Sequence, residues 1–300
     1  MTLHAWSSAR YTFPLPEGHR FPIAKYQLLR QRVLDLGIVP ADRLHEPDRV
    51  SADDLLRVHT PDYVQRFTRG ALTAAEVRRL GFPWSPALVE RSYRATGGTC
   101  EAARHALDFG ISMNLAGGTH HAFPDHGEGF CVFNDVAVAI RALQHRGQIE
   151  RAAIVDLDVH QGNGTHAIFA GDASVFTFSM HGGRNYPFRK VAGDLDVELP
   201  DGADDAEYLN RLAAALPGVI ARAHPDLVVY LAGADAHEHD ALGRLSLTQQ
   251  GLARRDLLVV QHCREVGLPL TITIAGGYGR DPSTTVALHV QTARIASQFS

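Results

Sequence analysis

The 300-residue chain has too few cysteines for a disulfide framework. Cys100, Cys131 and Cys263 are odd in number, far apart and set in apolar or helical contexts, which points to packing roles in a reducing compartment. No apolar run reaches the roughly 18 residues needed to cross a bilayer. The opening Met1-Thr2-Leu3-His4-Ala5-Trp6 lacks the charged and apolar regions of an export signal, so a cytoplasmic location is the expectation. Lysine and arginine form no block and the formal charge is -4; neither nucleic acid nor an anionic membrane is therefore an expected partner. No G-x-G-x-x-G pattern supports a dinucleotide site. Internal repeats, low-complexity tracts and linkers are also missing. Asn163-Gly164-Thr165 matches a glycosylation sequon, which reads as chance without an export signal.

With 45% hydrophobic and 21% charged residues, the chain reads as a single globular domain over residues 1–300. Short apolar runs recur at the spacing of βα units: Ile111 to Leu115, Ala152 to Leu157, Ser174 to Ser179, Leu227 to Leu231 and Leu270 to Ile274. Each ends in small or acidic residues. Between them lie helical patterns such as Val132, Val136, Ala139, Ile140 and Leu143, or Tyr208, Leu209, Leu212, Leu216 and Ile220. Pro217 predicts a kink or break in the second. The alternation predicts an α/β fold with a parallel sheet covered on both faces, and ligands in such folds bind beyond the carboxyl ends of the strands. The first ~90 residues are less regular and read as a wrapping of the sheet.

One run ends in a row of metal-ligand types. In an extended Ile154–His160, side chains alternate, so Asp156, Asp158 and His160 share one face. Burying two carboxylates beside an imidazole costs several kcal/mol unless a cation or tight hydrogen bonds compensate. Other strand ends add Gly117-Gly118-Thr119-His120-His121, Gly233-Ala234-Asp235 and Gly276-Gly277-Tyr278-Gly279. Each alone is weak: tandem histidines are commonly surface or core, and a glycine corner is usually a turn. Together they supply carboxylates and imidazole for a metal, two histidines for proton transfer and a phenol for an oxyanion, the requirements of metal-assisted amide hydrolysis.

Gly117–Ala122, Gly129-Phe130-Cys131-Val132-Phe133-Asn134-Asp135, Asp156–Gly164, Ala232–Asp235 and Gly276–Tyr278 together resemble the ordered motifs of the histone deacetylase superfamily, over about residues 10 to 295. His160-Gln161-Gly162-Asn163-Gly164 and Leu242–Leu247 look most similar to its class IV branch and bacterial relatives. The resemblance implies an arginase-like three-layer α/β/α sandwich around a central, mostly parallel eight-stranded sheet. It also implies that Asp158, His160 and Asp235 hold one divalent metal, zinc first, with Fe(II) also acceptable to an oxygen-rich set. His237 repeats the Asp-x-His spacing after Asp235 and is a weaker candidate for a fourth ligand.

By the same resemblance, Asp156 accepts from His120 and Asn163 from His121. A carboxylate favours the imidazolium more than an amide does, so His121 is assigned as general base and later general acid, with His120 as electrostatic support. Tyr278 is the oxyanion donor. Gly129, Phe130, Tyr186, Leu242, Gly276 and Gly277 are candidate substrate-contacting positions. A structural potassium ion is implied near Asp156, Ser179 and Met180.

These features imply a zinc-dependent amidohydrolase that removes an acetyl or longer acyl group from acyl-lysine in a protein, peptide or related small molecule. Acetylpolyamine or another small-molecule amide is the alternative substrate; the position where polyamine-preferring relatives often carry an acidic residue is Leu242. A ureohydrolase would require a second metal cluster, for which Asp156 and Asp240 are available, and leaves the two histidines and Tyr278 without a use. A silent acyl-lysine binding module is the remaining rival.

Overall fold

The apolar runs become strands whose carboxyl ends carry the glycine corners and the acidic row. A computed structural model describes residues 2–300. Its strands are β1 (His4–Trp6), β2 (Leu44–His45), β3 (Ile111–Asn114), β4 (Ala152–Asp156), β5 (Val175–Gly182), β6 (Leu195–Leu199), β7 (Leu227–Ala232) and β8 (Leu270–Ile274). They form one sheet in the order β2-β1-β3-β8-β7-β4-β5-β6. Every pairing is parallel, so the sheet is wholly rather than mostly parallel. Strands β3, β4, β7 and β8 are buried along their whole length, as expected of parallel strands covered on both faces. The result is the three-layer α/β/α sandwich.

The helices follow the 3.6-residue patterning. Asp135–His145 buries eight of its positions and is capped by Asn134, whose side chain accepts from the Ala137 amide. It packs against the long helix Pro86–Phe109, while Asp205–Ala223, Gln249–Glu265 and Pro282–Ser297 pack successively on one another. Helix Asp205–Ala223 runs through Pro217 without interruption, contrary to the predicted break. Pro217 and Ala213 both face solvent, so the carbonyl that loses its partner can turn to water.

Three strands escaped the periodicity reading. The first two span three and two residues, too short to show a pattern, and they make the N-terminal region part of the sheet edge rather than only a wrapping. The third, β6, alternates apolar and acidic residues at the opposite edge. Its pairing with β5 carries that strand to Gly182, beyond the expected end at Ser179. The sequence moves outward from β4 to β5 and β6, then returns on the other side through β7 and β8. That reversal opens a crevice above the carboxyl ends of β4, β7 and β8.

Candidate active site

The segments beyond the carboxyl ends of β4 and β7 bring together Asp158, His160 and Asp235. Nδ1 of His160 lies 3.0 Å from Oδ1 of Asp158 and 3.1 Å from Oδ2 of Asp235. Among the described residues this is the only group of three or more His, Cys, Asp or Glu side chains able to hold a metal, with all ligand atoms within 4.8 Å of one another. Main-chain amides aim the outer oxygens: Gly276 donates to Asp158 Oδ2 at 2.6 Å and Val159 to Asp235 Oδ1 at 2.9 Å. Burial and the neighbouring Asp158 charge push the Asp235 carboxyl up. His160 is pushed up to about 10 because its bonds to both carboxylates outweigh burial. Two carboxylates and an imidazole in a dry pocket, with their ligand atoms converging, fit one divalent cation.

The tandem histidines have different partners. Nδ1 of His120 lies 2.6 Å from Oδ2 of Asp156, and Nδ1 of His121 lies 2.7 Å from Oδ1 of Asn163. Burial works against a charged His120, yet the Asp156 and Asp158 carboxylates raise it to about 9. Burial, with the nearby His120 and His160, lowers His121 well below its ordinary value. The other end of the Asn163 amide donates to Glu128 Oε1 at 2.7 Å, fixing Oδ1 toward His121. The His121 proton therefore sits on Nδ1 and leaves Nε2 as an acceptor. The turn carrying both histidines is tied down by Asp135, which accepts from the Gly118 and Thr119 amides.

A cavity of about 810 Å³ reaches His121, His160 and Tyr278, and Gly129, Phe130, Tyr186 and Leu242 line it. Tyr186 meets His121 edge-on at 5.0 Å, and Tyr278 meets His160 edge-on at 6.2 Å. Burial and the Asp158 and Asp235 charges hold the Tyr278 hydroxyl far above its usual acidity range, so it remains a donor. Phe130 takes a left-handed backbone, φ 66°, directly after Gly129 at φ 56°. The Gly129 and Phe130 amides are held by the Arg79 and Leu80 carbonyls at the end of helix Ala74–Leu80, so the strain is maintained beside the cavity.

Some expectations require correction. Gly276 and Gly277 do not line the cavity; a Cβ on Gly276 would lie 1.7 Å from Asp235 Oδ2, so this glycine makes room for the Asp235 carboxylate. His237 is outside the metal group, and its Nδ1 faces the His239 amide at 3.3 Å. Asp240 and Asp156 are outside the metal group: the oxygens of Asp240 accept from the Leu242, Gly243 and Tyr278 amides. Those of Asp156 are taken by His120 and the Asp158 amide. Asn163, the sequon residue, is buried. All three cysteines are free. Asp156 pairs with Ser179 across β4 and β5, and Ser179 Oγ lies 2.9 Å from His181 Nδ1.

Sequence reasoning missed Glu128, the tie that Asp240 makes to the Tyr278 amide, and Lys25. The first two act through hydrogen bonds between residues distant in sequence, which spacing does not reveal. Lys25 is buried, donates to the Ala275 and Gly277 carbonyls at 3.3 Å each, and lies 5.4 Å from the Tyr278 ring centre. It thus braces the corner carrying Tyr278.

The histone deacetylase domain family matches residues 19–294. An uncharacterized protein of Picosynechococcus is 46% identical, over 95% of each chain. Histone deacetylase 2 of Arabidopsis thaliana is 33% identical, covering 90% of this chain and 72% of its own length. A histone deacetylase-like amidohydrolase of Pseudomonas aeruginosa is also 33% identical, over 88% and 74%. The crystal structure of an HDAC homolog from Aquifex aeolicus superposes with a TM-score of 0.86 at 24% identity, covering 99% of this chain and 84% of that one. Its likeness bears on the fold alone.

Proposed function

Because the chain belongs to the histone deacetylase family and is a deacetylase-type amide hydrolase, we propose that it removes an acyl group from the side-chain amide of acyl-lysine. The supporting observation is the neutral His121 ring on the wall of the same cavity as His160 and Tyr278. Asp158, His160 and Asp235 would hold the metal, zinc first and Fe(II) as the other candidate. A divalent ion there would polarise the amide carbonyl and acidify water.

His121 takes a proton at Nε2 as water attacks and returns it to the leaving amine. His120, kept charged by Asp156, stabilises the negative charge that develops beside it. The Tyr278 hydroxyl donates to the carbonyl oxygen as the oxyanion forms. Phe130, Tyr186 and Leu242 flank the lysine alkyl chain and exclude water. A potassium ion beside Asp156, Ser179 and Met180 belongs to the same proposal, supported by the strand pairing that joins these residues. A single domain over residues 1–300 does too, supported by the one continuous sheet.

The test is turnover of fluorogenic acyl-lysine peptides from acetyl to myristoyl by metal-reconstituted protein, with acetylated polyamines alongside. Acyl-lysine turnover is the expected outcome. Turnover of polyamines only would favour the small-molecule alternative, and binding without turnover would favour the silent module.

A further inference from the structure

The cavity that reaches Tyr278 opens among arginines. Arg20, Arg78, Arg79, Arg184 and Arg244 line it, and no aspartate or glutamate does. They come from separate parts of the chain: the segment before helix Lys25–Asp35, the last turn of helix Ala74–Leu80, the turn after β5 and the loop after β7. The fold therefore gathers them in a protein whose formal charge is -4. Arg184 and Arg244 share one partner, Asp201, at 3.6 and 3.3 Å. Arg20, Arg78 and Arg79 are exposed and make no ion pair among the described residues.

Scattered exposed arginines are ordinary solvated surface, but five around one opening, against Asp201 and the Glu128 carboxylate bonded to Tyr186, leave a net positive field there. Screening limits its reach to about 8 Å at physiological salt, so it acts on what immediately flanks a substrate seated in the cavity. Guanidinium is also the side chain best matched to carboxylates, through paired N–H donors. A free polyamine would hold its remaining ammonium groups against this rim.

Resting on the acyl-lysine reading above, we infer that the rim selects acyl-lysines carried in acidic peptide segments. Aspartate or glutamate side chains near the modified lysine pair with Arg20, Arg78, Arg79 and their neighbours. Exposed Phe188, 87% accessible at the same opening, gives the peptide an apolar surface to lie on.

The test uses zinc-loaded full-length protein and three peptides that share one acyl-lysine but carry aspartate, serine or lysine at the flanking positions. The aspartate peptide is expected to exceed the lysine peptide in kcat/KM by about tenfold or more at low salt, mainly through KM, with the difference shrinking as salt rises. Arg20→Gln with Arg78→Gln should narrow this ratio and Arg20→Glu with Arg78→Glu should invert it; the glutamine pair serves if the charge reversal fails to fold. Equal turnover of the three peptides, or a preference for lysine flanks, would overturn the inference and leave the deacylase reading standing. So would an aspartate preference unchanged in the folded variants, which would put selection elsewhere. No turnover of any peptide would instead sink the deacylase reading itself.

Discussion

The amide oxygen of Asn163 lies 2.7 Å from Nδ1 of His121, and the nitrogen of the same amide donates to Glu128. A neutral, oriented partner keeps His121 in one tautomer without the pull toward imidazolium that Asp156 exerts on His120. Adjacent residues on one turn thus differ in acid–base character, since the Asp156 and Asp158 carboxylates raise His120 against burial while burial and the neighbouring imidazoles lower His121. His121, lowered well below its ordinary value, is already a base at neutral pH.

Asn163→Asp should reverse that difference. A carboxylate stabilises the charged ring and raises its pKa, so the fraction of neutral His121 falls on the acid side. The acidic limb of the kcat/KM profile should then move up by about one pH unit or more. Glu128→Gln in the same protein relieves the carboxylate pair that the change creates. A profile identical to that of the parent would mean that another group sets this limb.

Tyr278→Phe removes one hydroxyl from a ring held by Lys25 and the Asp240 bond to its amide. Metal content and melting temperature should persist while kcat falls roughly 10²-fold or more, the scale for losing one oxyanion donor. Near-normal turnover in single-turnover kinetics would remove Tyr278 from the chemistry.

Gly276→Ala should be far more damaging than its size suggests. The added Cβ would fall 1.7 Å from Asp235 Oδ2 and 2.7 Å from Asp158 Oδ2, forcing both proposed ligands to shift. Loss of bound metal and activity together is the expected result. Full metal content by elemental analysis would show that the corner can relax away from Asp235.

Asp158→Ala, His160→Ala and Asp235→Ala should each lose most bound zinc, since each leaves two of three ligands. His237→Ala should keep it. Zinc loss from His237→Ala as complete as from Asp235→Ala would restore the four-ligand arrangement.

Much of this was legible before any coordinates. Glycine corners after apolar runs locate the crevice because a parallel sheet puts all its carboxyl ends on one side, but β4 ends at Asp156, and Asp158 and His160 lie in the bends beyond it, where the Asp158 and His160 amides donate to the Asp156 and Asp158 carboxylates instead of continuing the expected strand. Short β1 and β2 carry no periodic signal, and Pro217 sits on the exposed face of its helix, where the carbonyl it leaves unpaired can turn to solvent. The sequence places Gly276 beside Tyr278, and only three dimensions reveal Asp235 beneath it. The arginines at the opening are invisible to a search for basic blocks, since no more than two are adjacent in sequence.

The most direct measurement is a zinc titration of metal-free protein, reading acyl-lysine peptide turnover and bound zinc in the same samples. The account predicts no turnover without metal, full turnover at one ion per chain, and neither binding nor turnover in Asp235→Ala. Activity in metal-free protein, or activity that requires a second ion, would contradict it.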